Sequence, residues 1–338
     1  MRRSLVAAVA ALMVAALVAA CGSSSSSSTG SSSGTTANAG KQLKIAYLSF
    51  AVANSYDAPM LAAAQAVAGE NNTKLTVFDA NNDPNKQFSQ LQNVITQGGY
   101  DGVILQPIES TNLITPAQDA ISKKIKVANI DQILGPKLDT VEKQVDGQSV
   151  NVTFVPTDIG TKLGKLVVQA CSQNNLSPCK VGYLYDIKAS ALDVAIRKAF
   201  NTAIAGSPVK VVAEGQSFFT PAKGLAATQD MLQAQPDLNL IVGADQGIEG
   251  GSQAIGKKKV ILVGYGGSAA AQQGVASGAW FGDVAQNPAT EGRLGTQQLI
   301  QAIRTGKDFP AVNAVDQLPG DGVITKENAS QFHPEWPG

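Results

Sequence analysis

The sequence predicts an α/β protein built from two doubly wound parallel-sheet domains. Apolar runs of strand length recur along the chain, and stretches with helical apolar spacing lie between them. The alternation is interrupted between Asp131 and Asp158. Continuous apolar strands alternating with helices imply parallel sheets covered on both faces. The length of 338 residues suits two domains, at ~150 residues each.

Taken in order, Arg2 and Arg3 precede an apolar run from Leu5 to Ala20. Residues 1–20 read as a secretory signal, too short and too alanine-rich for a spanning helix. The run ends Val18-Ala19-Ala20-Cys21-Gly22, which resembles a bacterial lipobox with Cys21 as the lipidated residue. Ordinary cleavage beside an incidental cysteine is the alternative. Residues 21–40 are almost entirely Ser, Gly, Thr, Ala and Asn, and cannot bury enough apolar surface to offset the entropy of ordering. A flexible tether is expected there.

The first set of strands is Lys44–Phe50, Leu75–Phe78, Gly102–Gln106 and Lys126–Ile130, with helices over Met60–Gly69 and Gln87–Gln97. The second is Lys180–Tyr185, Val209–Glu214, Leu240–Gly243, Val260–Gly264 and Phe281–Ala285. Helices are expected with it over Leu163–Cys171, Leu192–Ile204, Leu225–Ala234 and Thr290–Arg304, and the sets part near Pro156-Thr157-Asp158. Cys171 and Cys179 flank a polar loop. In an exported chain a disulfide is expected between them, two buried thiols being the alternative.

Composition removes several classes of function. Lys+Arg and Asp+Glu both total 26, without the basic excess of a nucleic-acid binder. His333 is the single histidine, which leaves no imidazole for a His-based metal site or a Ser-His hydrolase. No cofactor and no metal are expected. Gly251–Lys257 starts like a phosphate loop, but Lys258 stands where Ser or Thr is needed. Gly264-Tyr265-Gly266 lacks the third dinucleotide-binding glycine, since Ala269 takes that place, and Gly266-Gly267-Ser268 lacks the second flank of a nucleophile elbow.

In doubly wound sheets ligands bind beyond the carboxyl ends of the strands. The residues there are aromatics, amides and carboxylates, including Asp57, Asp131, Gln132, Asp193 and Asp245, with Lys188 the only cation. Amides and carboxylates suit hydroxyl groups and aromatic rings suit an apolar sugar face, so a neutral polyhydroxylated or a cationic ligand is expected.

Several of these segments resemble the type I periplasmic solute-binding proteins of the ribose-binding class. The similarity covers about 43–330. It runs through Lys44–Leu48 with Asn54-Ser55-Tyr56, Asp79–Pro84 with Gln87 and Gln92, and Gly99–Pro107. It continues through Asn129-Ile130-Asp131, Val263-Gly264-Tyr265, Gln286-Asn287-Pro288 and Val323–Asn328. The resemblance implies two lobes joined by three crossovers, 41–157 plus 287–313 and 158–286 plus 314–338, in a monomer that hands its ligand to an ABC permease and its ATPase. It carries ligand contacts onto Asn54, Tyr56, Gln106, Asp131, Phe219, Asp245 and Gln286.

The chain departs from the ribose-type pattern in four places. Gln132 and the neighbourhood of Val194 stand where arginines are usual, Gly266 stands where a hydroxyl-binding aspartate is usual, and Asp245 stands where an asparagine is usual. Plainer roles remain open: a cap for Asp131, core packing for Tyr56 and Phe219, a helix start for Asp245 and a hinge for Gln286. The resemblance favours a lipid-anchored receptor at the outer face of the membrane, probing for a sugar, with a nucleoside or amine as the alternative. The lactose-repressor family shares the body but needs an N-terminal DNA-binding segment where this chain has an export signal. A secreted carbohydrate-active enzyme would draw on a carboxylate pair such as Asp131 and Asp245.

Overall fold

The computed structural model describes residues 40–338, so the signal segment, Cys21 and all but the last residue of the tether lie outside the described residues. The first elements are β1 (Leu43–Ser49), α1 (Asp57–Glu70), β2 (Thr73–Asp79), α2 (Pro84–Gln97), β3 (Gly102–Leu105), α3 (Ile114–Ser122), β4 (Lys126–Asp131) and β5 (Val150–Thr153). Next come α4 (Pro156–Gln173), β6 (Cys179–Tyr185), α5 (Ala191–Ile204), β7 (Val209–Gln216), α6 (Pro221–Ala234), β8 (Leu240–Ala244) and α7 (Asp245–Ile255). The chain ends through β9 (Ile261–Gly266), α8 (Ala269–Ser277), β10 (Gly282–Ala285), α9 (Pro288–Thr305), β11 (Val312–Asn313) and β12 (Val323–Ile324).

Two six-stranded sheets result, ordered β11-β5-β4-β3-β1-β2 and β12-β10-β9-β8-β6-β7. Every pairing is parallel except β10 with β12. Strand order reverses between β1 and β3 in one sheet and between β6 and β8 in the other. Such switch points open a crevice at the carboxyl ends of the strands. The chain passes between the sheets after β5, after β10 and after β11.

Alternation along each strand fills both faces of its sheet. In β1, Ile45 and Tyr47 join one buried cluster with Ile104, Ile130, Val152 and Leu299, while Ala46 and Leu48 join another with Val103, Leu105 and Val127. Glycines let the covering helices touch at the backbone. A Cβ on Gly160 of α4 would lie 2.1 Å from the Ile196 carbonyl of α5, and one on Gly292 of α9 would lie 2.1 Å from the Met60 carbonyl of α1. The second contact seats α9 on the first sheet although the chain reaches it from the second. Cys171, in the last turn of α4, is disulfide-bonded to Cys179 at the start of β6, with Cα atoms 5.8 Å apart.

Some elements escape the sequence reading for physical reasons. β5 lies inside the interrupted stretch because its buried residues Asn151 and Thr153 are polar. Asn151 Oδ1 accepts from Asn129 Nδ2 at 3.0 Å and from Gln148 Nε2 at 2.8 Å, so the strand is held by amides that an apolar pattern does not mark. α3 and α8 are nine residues each, and α8 is rich in Ala with little contrast between its faces.

Candidate functional site

The carboxyl ends of the two sheets face each other across a cleft. On the first sheet β3 delivers Gln106, fully buried at the switch point. Its Oε1 accepts from the Phe50 amide at 3.0 Å, and its Nε2 donates to Asp57 Oδ1 at 2.6 Å and to Asp131 Oδ2 at 3.1 Å. Gln87 of α2 fixes the strand end from behind, donating to the Gln106 carbonyl at 2.7 Å and accepting from the Ile108 amide at 3.0 Å. One amide therefore positions two carboxyls at once.

Asp131 ends β4 with φ of 65°, a left-handed conformation that aspartate tolerates better than most side chains. Burial raises its pKa to about 7, with the Gln106 bond opposing the shift. Burial also raises Asp57 well above the carboxylate range, with the Asp131 charge adding to it. Asn54 Oδ1 accepts from the Tyr56 amide at 2.8 Å, which shapes the loop ahead of α1 and leaves its Nδ2 without a partner among the described residues.

On the second sheet the organising residue is Asp186, just past β6. It accepts from Ser217 Oγ at 2.6 Å and from Tyr265 Oη at 2.5 Å, and also from the Phe219 amide. Burial raises its pKa to about 8, with the neighbouring Asp193 charge contributing. These bonds hold Tyr265 and Phe219 toward the cleft. Phe218 and Phe219 both take left-handed backbone, with φ of 49° and 53°, a conformation sparsely populated by non-glycine residues.

The cavity between the lobes is lined by Phe50, Asn54, Tyr56, Asp57, Asp131 and Gln132 from the first lobe, with Phe154 in the passage after β5. The facing wall comprises Leu192, Phe219, Ala244, Gln246, Tyr265, Gly266 and Trp336, with Gln286 at a crossover. The lobes meet at two aromatic pairs, Phe50 with Phe219 at 6.1 Å and Tyr56 with Trp336 at 5.3 Å, both edge to face. No Lys, Arg or His is among the lining residues. Lys188 is turned away, its Nζ 2.6 Å from Glu214 and 5.0 Å above the Tyr185 ring.

Asn54, Tyr56, Asp57, Asp131, Gln132, Phe219 and Gln286 thus come together as the sequence suggests, with Gln106 holding the acids from behind. Asp193 and Asp245 do not reach the cavity. Asp193 accepts from the Ile187 amide at 2.6 Å and the Asp186 amide at 3.3 Å, closing the loop before α5. Asp245 lies beneath β9, where its Oδ2 accepts from the Ser268 amide at 2.8 Å and its carboxyl bonds Asp283. Burial, with the Asp245 charge adding to it, holds Asp283 well above the carboxylate range. The helix starting at Asp245 presents the next residue, Gln246, to the cavity instead.

A family model described as a periplasmic binding protein domain matches residues 45–308. The chain belongs to the periplasmic binding protein family. Membership makes it an extracytoplasmic binding protein rather than an enzyme. Among its relatives, the D-allose-binding periplasmic protein of Escherichia coli is 27% identical over 247 residues, covering 70% of this chain and 77% of that one. The ribose import binding protein RbsB of Escherichia coli is 24% identical over 286 residues, covering 83% and 91%. The crystal structure of the Caulobacter myo-inositol binding protein with myo-inositol shares the fold, with a TM-score of 0.73 at 21% identity over 86% of this chain and 96% of that one.

Within this periplasmic binding protein, the strand-end rule reaches the lining residues Gln246 and Tyr265, although the resemblance does not carry ligand contacts onto them. Asp186 also follows a strand, but its three partners come from distant segments. Trp336 follows no strand and carries no local signal.

Proposed function

We propose that this protein captures a monosaccharide or a similar cyclic polyol between its lobes and presents it to an ABC importer. The observation that carries the reading is the wall itself: carboxyls held by Gln106, unpaired amides and aromatic rings, with no cationic side chain among the lining residues. Asp131 Oδ2 is taken by Gln106, and the side chain lines the cavity, where its carboxyl can accept from a ligand hydroxyl. Asn54, Gln132, Gln246 and Gln286 supply amide donors and acceptors, and Phe50, Phe219 and Tyr265 supply apolar faces. The names of the allose and ribose relatives support the same ligand class.

A thermal-shift series with D-allose, D-ribose and myo-inositol tests this reading. Ligand at 100 times its dissociation constant adds about 2.7 kcal/mol of stability. Sugar phosphates and sugar acids should give no shift, because their anionic groups would face carboxyls without a base. The carboxyl cluster favours one second reading, a ligand bearing an amine. Its binding would weaken as salt rises, whereas that of a neutral polyol would hardly change.

The location at the membrane surface rests on Cys21 as a lipid anchor, with the tether holding the folded body at the outer face. A Cys21→Ala protein is expected to stay unprocessed or to leave the membrane fraction. Full processing with unchanged membrane association removes the anchor.

A further inference from the structure

The last residues of the chain form part of the cleft wall. Trp336 is 3% exposed and lies against the cavity, with its Nε1 donating to the Gly266 carbonyl at 2.7 Å. The tail that carries it is tied to both lobes. Its backbone carbonyls at Trp336 and Pro337 accept from the amides of Ala269 and Ala270 at the start of α8, each at 3.0 Å. Glu335 accepts from the amide and hydroxyl of Thr290 at 2.8 and 2.6 Å, in the first turn of α9 on the other lobe.

The indole occupies space that a side chain at position 266 would need. A Cβ built on Gly266 would lie 2.6 Å from the Trp336 ring and 2.9 Å from Asp245 Oδ2. Gly266 also has φ of 143°, which side-chain-bearing residues rarely adopt. The backbone at the end of β9 is therefore committed to having no side chain there, and the tail fills the place. The one hydrogen-bonding group of the indole is already used on the Gly266 carbonyl, so the surface left to a ligand is carbon. Tyr56 packs edge to face on it and extends that surface across the cleft.

We propose that Trp336 is a specificity-determining residue of the sugar site, selecting ligands that turn a C–H face or a deoxygenated position toward the indole. This rests on the reading of the cavity as a monosaccharide site. A hydroxyl directed at the ring would lose its water without gaining a partner, which disfavours that ligand. A C–H face buries apolar area against the ring at no such cost.

Calorimetry on the full chain with D-allose, D-ribose, L-arabinose, myo-inositol, D-galactose and its 6-deoxy analogue D-fucose tests the proposal. Trp336→Ala should lose about tenfold or more in affinity for the tightest of these and change their rank order, while Trp336→Phe keeps the order. The sequence has two tryptophans, so Trp280→Phe leaves Trp336 as sole reporter, and the same sugar should change its emission. That second measurement does not depend on the alanine variant folding. Unchanged affinities and order in Trp336→Ala, or emission in Trp280→Phe that a bound sugar leaves unaltered, overturns the proposal. If the parent binds none of the six, the monosaccharide reading falls and the proposal with it. A parent that binds while Trp336→Ala binds identically removes only the role of the tail.

Discussion

Asp131 concentrates several physical demands on one side chain. It ends a buried strand in left-handed backbone, shares the Gln106 amide with Asp57, and faces a cavity lined without a base. Asn tolerates the same backbone region, so Asp131→Asn should fold. Above about pH 7, where the carboxyl is ionised, it removes a charged acceptor whose hydrogen bonds are worth ~1.5–3 kcal/mol, and sugar affinity measured by calorimetry should fall about tenfold or more. Titration gives a second expectation. A carboxyl raised in the native state to about 7 contributes stability that is fully present below its unfolded pKa and is lost as pH rises through about 7. Asp186, raised to about 8, acts in the same direction. The ligand-free protein should therefore melt lower at about pH 9 than at about pH 5, and Asp131→Asn should narrow that difference. A melting temperature that rises across this window would contradict the burial of these acids.

At the scale of elements, the packing of helices on each sheet depends on small residues at the contact and on covalent closure at the end of α4. Gly160 and Gly164 bring α4 against α5, and the Cys171–Cys179 bond then ties the end of α4 to the entry of β6. The eight-residue separation makes a short loop, for which chain entropy predicts ~2–3 kcal/mol of stabilisation. The Cys171→Ala, Cys179→Ala double variant should show a lower urea midpoint with a similar slope. Sugar binding should persist, because neither cysteine contributes to the cavity wall. A variant of unchanged midpoint would remove the disulfide from the stability of the second lobe.

Over the whole molecule, the lobes are joined by three passages of chain and meet through Phe50–Phe219 and Tyr56–Trp336. We propose that these passages, near Pro156–Asp158, Gln286–Pro288 and Val315, act as hinges, since a few backbone torsions between compact lobes suffice for closure. Asn287 Nδ2 donates to the Ala314 carbonyl at 2.7 Å, pinning two of the passages together so that they move as one. Small-angle scattering should show a smaller radius of gyration when a tightly bound sugar is added. An unchanged radius at saturation would rule out ligand-driven closure.

The alternation of apolar strands and helices was enough to determine the fold class, because a parallel sheet buried on both faces writes itself into local sequence. The strand-end rule likewise located Asn54, Tyr56, Asp131 and Gln132, since in this fold position after a strand is position at the cleft. It also nominated Asp193 and Asp245, because a carboxylate that caps a loop or pairs beneath a strand occupies the same place in the sequence. Only the tertiary structure separated them, by showing which oxygens were already used by the amides of Ile187, Asp186 and Ser268. β5 stayed hidden because its buried side chains satisfy each other as amides. Trp336 stayed hidden because its place depends on Gly266, 70 residues earlier, and on a tail whose hydrogen bonds reach both lobes. Local pattern encodes which face of an element is buried; which distant side chain fills the space left by a glycine is decided only when the elements have packed.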